Sequence, residues 1–355
     1  MLKRFCLLAA CSLSLVFAAN AQLTDRQHEE EYNNLIRAQK PEAAYAYLTA
    51  AIAAQPTSAE RYMARGRHRE WIKDIDGAIS DFTKAIELDK TELHAYMRRA
   101  ALFWEKGKLQ EALADYSAAI KIEPGQVVAH ANRGGLRYEL GDYAGAIADF
   151  DISVAGTPRD INVDGYLSRG QAKYQLKDFE GAVKDLTVYI DEGVFDKEAA
   201  YQTRAWANLI LGRGDAAYKD AIEVLKTTDK EKYPPRYNVI IAYFGLLSFG
   251  RVAEAERFAK EWLPKLPASE WTTTVVAYLG KMNSENNFLL LAKGNKDKLT
   301  EARTFIGMQN ILSGKPAGVA HLGWVMVNGQ TNFNEYYWAE AVLKRIDADK
   351  KAPVK

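Results

Sequence analysis

An all-α, right-handed superhelical solenoid of stacked helical hairpins is the fold class this sequence predicts, on three observations. The first is a step of 34 residues shared by Ala44, Ala78, Ala112 and Ala146 and by Leu48, Phe82, Tyr116 and Phe150. The second is a pair of amphipathic segments in each repeat, joined at a turn and closed at Pro56, Pro124 or Pro158, with Lys90 in the remaining unit. The third is a constant offset of 16 residues between an arginine of the first segment and an aspartate of the second: Arg65 and Asp81, Arg99 and Asp115, Arg133 and Asp149, Arg169 and Asp185, Arg204 and Asp220.

Residues 1–21 read as a secretory signal peptide. Lys3 and Arg4 precede an apolar stretch from Phe5 to Phe17, and Ala19-Asn20-Ala21 supplies the small residues of a cleavage site. The apolar stretch is short for a membrane span of about 20 residues, and no later segment is long enough. Export to a bacterial periplasm or beyond is therefore expected. Both cysteines, Cys6 and Cys11, lie in the leader, so cleavage after Ala21 leaves no thiol, disulfide or cysteine metal site. A rival reading takes Leu8-Ala9-Ala10-Cys11 as a lipobox with Cys11 acylated, but the apolar "SLSLVFAANA" that follows suits a leader better than a mature N-terminus.

The 355 residues, 48% hydrophobic and 26% charged, suit an ordinary folded chain. Losing Lys3 and Arg4 leaves 45 basic against 46 acidic residues, a balance that points away from general nucleic-acid or anionic-membrane binding. Residues 22–58 are expected to form a first, degenerate hairpin, and residues 59–230 the core array. A helix from Leu93 to Glu105, a turn at Lys106-Gly107-Lys108 and a helix from Leu109 to Ile122 illustrate the unit. Alanine recurs where the helices must approach, and the large residue four positions later fills the adjoining groove. Residues 231–348 are expected to hold divergent hairpins and a closing helix, and 349–355 a frayed tail. One continuous array is expected, with any hinge at "KTTDKEKYPPR", residues 226–236.

In "LGDYAGAIADFDISVAGTP", "KGKLQEALADYSAAIKIEP" and "LKDFEGAVKDLTVYI", with Tyr62, Tyr96, His130, Tyr166 and Tyr201 at one early position, the chain resembles the tetratricopeptide repeat family. The resemblance implies a concave groove, lined by the first helices, that binds protein or peptide segments. Its partner-contacting positions fall here on Met63, Arg67, Glu70 and Trp71; on His94, Met97, Trp104 and Glu105; on Val128, Ala131, Tyr138 and Glu139; and on Leu167, Gln171, Tyr174 and Gln175. Trp104, Tyr138 and Tyr174 share one position in successive units and form an aromatic stripe suited to an apolar or proline-containing segment. Members that clamp a C-terminal carboxylate use basic residues where Met63 and Met97 stand, so that activity is not implied.

The arginine ladder admits two readings, an anion-binding track or a repeated ion pair. A matched acid in every unit favours the ion pair, because it would occupy the guanidinium fork and cancel its field. The aspartate could belong to the arginine's own repeat or to the preceding one. No His-Glu-x-x-His, Gly-x-Ser-x-Gly or phosphate-loop motif occurs, and the five histidines are scattered, so the sequence calls for a binding scaffold with no catalytic residues, metal or cofactor.

Overall fold

The computed structural model describes residues 25–155, 163–192, 197–227 and 236–351. The expected leader with Cys6 and Cys11, Pro158, nearly all of the expected hinge and residues 352–355 lie outside them. The described residues form nineteen α-helices and one short 3-10 turn, without a strand. The chain divides into two compact units, Met1–Gly156 and Thr157–Lys355.

In the first unit, α1 (Asp25–Arg37) and α2 (Pro41–Ala54) form the degenerate hairpin. Three regular hairpins follow: α3 (Ala59–Trp71) with α4 (Ile75–Leu88), α5 (Leu93–Glu105) with α6 (Leu109–Ile122), and α7 (Val127–Glu139) with α8 (Tyr143–Ala155). What lets each pair close is a small residue on the first helix set beneath a large one on the second. A Cβ on Gly66 would meet the Phe82 ring at 2.6 Å, and one on Gly134 the Phe150 ring at 2.8 Å. Ala100, fully buried, holds the same place above Tyr116. The turns repeat as well. Gly107 and Gly141 adopt the left-handed conformation, and the amides of Gly107 and Lys108 return to the carbonyls of Trp104 and Phe103 at 2.8 Å, closing the first helix. Lys73 takes the same position in the first regular hairpin with φ 65°, a strained choice for a side-chain-bearing residue.

In the second unit, α9 (Val163–Gln175) pairs with α10 (Phe179–Glu192), α11 (Glu198–Ile210) with α12 (Gly214–Thr227), and α13 (Arg236–Ser248) with α14 (Val252–Trp262). The short α15 (Trp271–Leu279) and α16 (Glu285–Ala292) precede α17 (Lys296–Leu312) and α18 (Gly318–Asn328), and α19 (Asn334–Lys351) closes the chain. This closing helix runs through residues expected to belong to the tail.

The division of the chain differs from the expectation of one array hinged at 226–236. Its boundary falls at 156/157, while α12 and α13, on either side of the expected hinge, pack tightly. Gly245 lets them meet: a Cβ there would stand 2.9 Å from the Gly214 carbonyl and 2.8 Å from the Tyr218 Cβ. Charge and Pro234-Pro235 interrupt the repeat in sequence, but the small and apolar residues flanking them form one continuous core.

The closing helix contributes to that core. Trp338 of α19 packs edge-on against Phe244 at 4.9 Å and against Trp206 at 6.3 Å, so α19 lies against α11 and α13. At its start the Tyr174 hydroxyl donates to Asn334 Oδ1 at 2.8 Å, a contact across 160 residues of chain. Lys177 pairs with Glu340 at 3.2 Å and sits 4.7 Å from the centre of the Tyr337 ring. Among the described residues no helix is long and apolar enough to cross a membrane.

Candidate functional site

The ladder resolves into one contact built five times. Nε and Nη2 of each arginine donate to the two carboxylate oxygens of the aspartate in its own hairpin: 2.9 and 2.8 Å for Arg65 and Asp81, 2.7 and 2.8 Å for Arg99 and Asp115, and 2.9 and 2.7 Å for Arg133 and Asp149. The second unit repeats it at 2.8 and 2.7 Å for Arg169 and Asp185 and at 2.9 and 2.6 Å for Arg204 and Asp220. The aspartates are buried and each arginine is mostly so. The geometry follows from the hairpin, because each arginine directly precedes the small residue and each aspartate directly precedes the residue packed over it.

The remaining Nη1 reaches outside the hairpin. Arg99 donates to Thr83 Oγ1 at 2.9 Å, Arg133 to Ser117 Oγ at 3.2 Å and Arg204 to Thr187 Oγ1 at 2.9 Å, each time a hydroxyl of the preceding hairpin. The guanidinium fork is thus filled from within the protein, leaving no free track for an anion.

A second cation, one helical turn later, was not anticipated. Arg69 and Arg137 donate to Asp81 and Asp149 at 2.9 and 2.8 Å, and Lys173 lies 2.8 Å from Asp185. The signal is present in the sequence as a basic residue four positions after Arg65, Arg133 and Arg169. Asp149 also accepts from His130 Nδ1 at 2.8 Å. Burial works to raise the Asp149 carboxyl, but the bonds from Arg133 and His130 outweigh it and hold the group below the usual aspartate range. Asp220 has Arg204 and only a long 3.5 Å contact from Asn208, so burial wins and its carboxyl is raised.

The first-helix face of the N-terminal unit is the candidate partner surface. Trp71 is 57% exposed, Val128 52%, and His94 is exposed. Met97, Trp104 and Tyr138 are half-buried, and Arg67, at the edge of exposure, pairs with Glu29 at 3.6 Å. Two bridges tie neighbouring first helices together: Arg98 to Glu70 at 2.9 Å, and the Trp104 indole N–H to Glu139 at 2.6 Å. The Trp104 ring covers Gly135, where a Cβ would lie 3.0 Å from it.

The tetratricopeptide repeat family profile matches residues 73–127 and 97–161. The C-terminal part of a repeat-containing protein of Cytophaga hutchinsonii shares the fold at a TM-score of 0.54 and 16% identity, over 68% of this chain and 97% of its own. Residues 73–161 therefore carry tetratricopeptide repeats, and the described helices share the fold of proteins built from them. A second protein of this repeat, from Parabacteroides merdae, aligns at a TM-score of 0.47 and 20% identity over 73% of this chain and 99% of its own. No curated protein sequence matches the chain.

Two of the positions carried over from the repeat family do not present a surface. Met63 is 4% exposed because it packs with Ala95 and Leu102 inside the first unit. Tyr174 is also 4% exposed: it packs on Phe179 at 5.2 Å and bonds to Asn334, so the closing helix lies over the place where a partner would reach it. Leu167, half-buried, packs on the same core. The expected stripe therefore contributes Trp104 and Tyr138 in the first unit, while Trp71 and Val128 are the most exposed apolar side chains among its carried-over positions.

The second unit also buries two carboxyl groups that the repeat pattern does not announce. Glu301 of α17 accepts from the Tyr237 hydroxyl and the Trp271 indole N–H, both at 3.0 Å, and Glu335 of α19 is buried nearby. Burial raises both above the ordinary carboxylate range. The hydrogen bonds partly offset this for Glu301, and the charge of Glu301 raises Glu335 further. Both are closed off from solvent, and among the described residues no group of three or more His, Cys, Asp or Glu could hold a metal ion.

Proposed function

We propose that the protein is an exported scaffold that binds protein segments on the first-helix face of its N-terminal unit and organises cell-envelope machinery. The observation that carries this reading is the exposure of Trp71, with Trp104 and Tyr138 half-exposed on neighbouring first helices. Large aromatics of this kind supply contact area at small conformational cost. Export rests on the basic, apolar and small-residue succession of residues 1–21. Catalysis has no support in the arrangement, because the ladder groups are bonded to one another and the buried carboxyl pair is enclosed.

Photo-crosslinking in cells from a probe at His94 tests the surface. Changing Trp71, Trp104 and Tyr138 together to Ala should remove the captured proteins while leaving the thermal melt within about 2 kcal/mol of the parent. Unchanged capture by a folded triple variant would refute the surface. Intact mass of the mature chain tests the leader: cleavage after Ala21 is expected, whereas an acylated Cys11 would make the protein a lipoprotein adaptor.

A further inference from the structure

The second unit contains an open pocket of about 260 Å³, set among α11, the turn that follows it, α13, α17 and the stretch of α19 from Trp338 to Asp349. Its lining is largely apolar, with Ile311, Leu312 and Ile346 partly exposed and Phe244, Met308 and Trp338 buried behind them. Ser248 is occupied, donating to the Gly245 carbonyl at 2.7 Å. Two charged side chains line the pocket, Arg345 and, one helical turn later, the exposed Asp349.

Arg345 differs from every arginine of the ladder. It is exposed on α19 and has no ion-pair or hydrogen-bond partner among the described residues. Partial desolvation lowers its pKa and no neighbouring acid offsets that. Its guanidinium lies over Gly212, whose φ of +79° and missing side chain leave the space; a Cβ there would collide with Nη1. The second unit thus places a planar cation without a protein partner beside an apolar cavity. A bidentate anion answers such a fork best, and a carboxylate matches its geometry. The apolar walls demand that the rest of the ligand be hydrocarbon, and the volume lies below the roughly 300–1,000 Å³ of drug-sized sites, which selects a single chain over a ring-bearing cofactor or a two-chain lipid.

We propose that this pocket binds a medium-chain alkyl carboxylate, its head group paired with Arg345 and its chain laid against Ile311 and Ile346. The site is separate from the first-helix face of the N-terminal unit and stands whether or not that face binds protein. Asp349 works against the ligand, so it sets a ceiling on affinity and gives the proposal a signed test.

Calorimetric titration of the full chain with decanoate, well below its micelle concentration, is the decisive measurement, with decanol as the uncharged control. Decanoate should bind at one site at least tenfold more tightly than decanol. Arg345→Gln should weaken decanoate at least tenfold while leaving decanol unchanged, and Asp349→Asn should tighten decanoate two- to fivefold. Both variants alter an exposed turn of α19, and an unchanged circular-dichroism melt establishes that each is folded. No binding of decanoate, equal binding of decanol, or full affinity in folded Arg345→Gln would each overturn the proposal.

Discussion

The two units are built from the same hairpin, yet they use the faces of their first helices in opposite ways. In the N-terminal unit that face carries Trp71, His94, Trp104 and Tyr138, bridged by Arg98–Glu70 and Trp104–Glu139, and a large part of it stays open to water. In the C-terminal unit α19 lies against α11 and α13 and covers Tyr174, the counterpart of Trp104 and Tyr138. The buried apolar residues reflect this: the first unit has small clusters that each join one hairpin to the next, whereas one cluster runs from Tyr174 to Val342 in the second. A repeat array left without a partner can supply one from its own chain, and what was a contact surface becomes core.

The largest expected break in this comparison is Trp338→Ala. Removing a buried indole from the junction of α19, α11 and α13 should cost about 4 kcal/mol, read as a lowered denaturant midpoint, whereas Trp104→Ala should cost about 1 kcal/mol because its ring is partly open to water. Equal losses would remove the distinction between an open and a filled face. Next in size, Arg133→Ala leaves the 1%-exposed Asp149 side chain without its bidentate partner and should cost about 3 kcal/mol; a loss under about 1 kcal/mol would show that Arg137 and His130 suffice to hold it.

Acidity should separate the units further. His68, whose pKa burial lowers, and Asp149, held low by Arg133 and His130, contribute stability to the first unit that is present above their ordinary values of 6.5 and 3.8 and is lost as pH falls. Glu301 and Glu335 are raised, so their contribution is complete below 4.5 and is lost as pH rises through neutrality. Asp220, also raised, acts in the same direction, and His321, lowered by burial, opposes them only below its ordinary 6.5. Between pH 7 and 9 amide exchange, corrected for its intrinsic rate, should therefore accelerate in α17 and α19 by an amount on the order of 1–2 kcal/mol of opening free energy, with α3 and α7 unchanged. Glu335→Gln should flatten that slope, and a slope it leaves intact belongs to other groups.

The smallest effect concerns the turns. Lys73→Gly relieves a left-handed lysine and should raise stability by about 0.5–1 kcal/mol. Lys177→Gly relieves the same strain at φ 63° but forfeits the Glu340 and Tyr337 contacts of the closing helix, so its melt should rise less or fall. A larger gain at 177 than at 73 would mean that these contacts hold nothing.

The hairpins and the ladder were legible in sequence because each rests on a fixed offset, repeated often enough to stand above composition. Whether each aspartate served its own hairpin or the preceding one was not, since an offset of 16 places both residues without saying which way the guanidinium turns. Spacing proved silent on α19 for a different reason. Tyr174 and Asn334 meet across a separation no repeat specifies, and a helix that fills its own chain's groove carries the same amphipathic pattern as one that caps a stack. Met63 misled because the resemblance supplied a position, whereas burial depends on the neighbours, here Ala95 and Leu102.

The third bond of the ladder arginines gives the array a direction in time. The guanidinium of Arg99 is complete only when Thr83 is already in place, that of Arg133 only when Ser117 is, and that of Arg204 only when Thr187 is. Every such donor looks back toward residues made earlier, and none waits for residues still to come. A chain leaving the ribosome from its N-terminus can therefore finish each hairpin on the one before it, so within each unit the order of synthesis and the order of satisfied polar groups coincide.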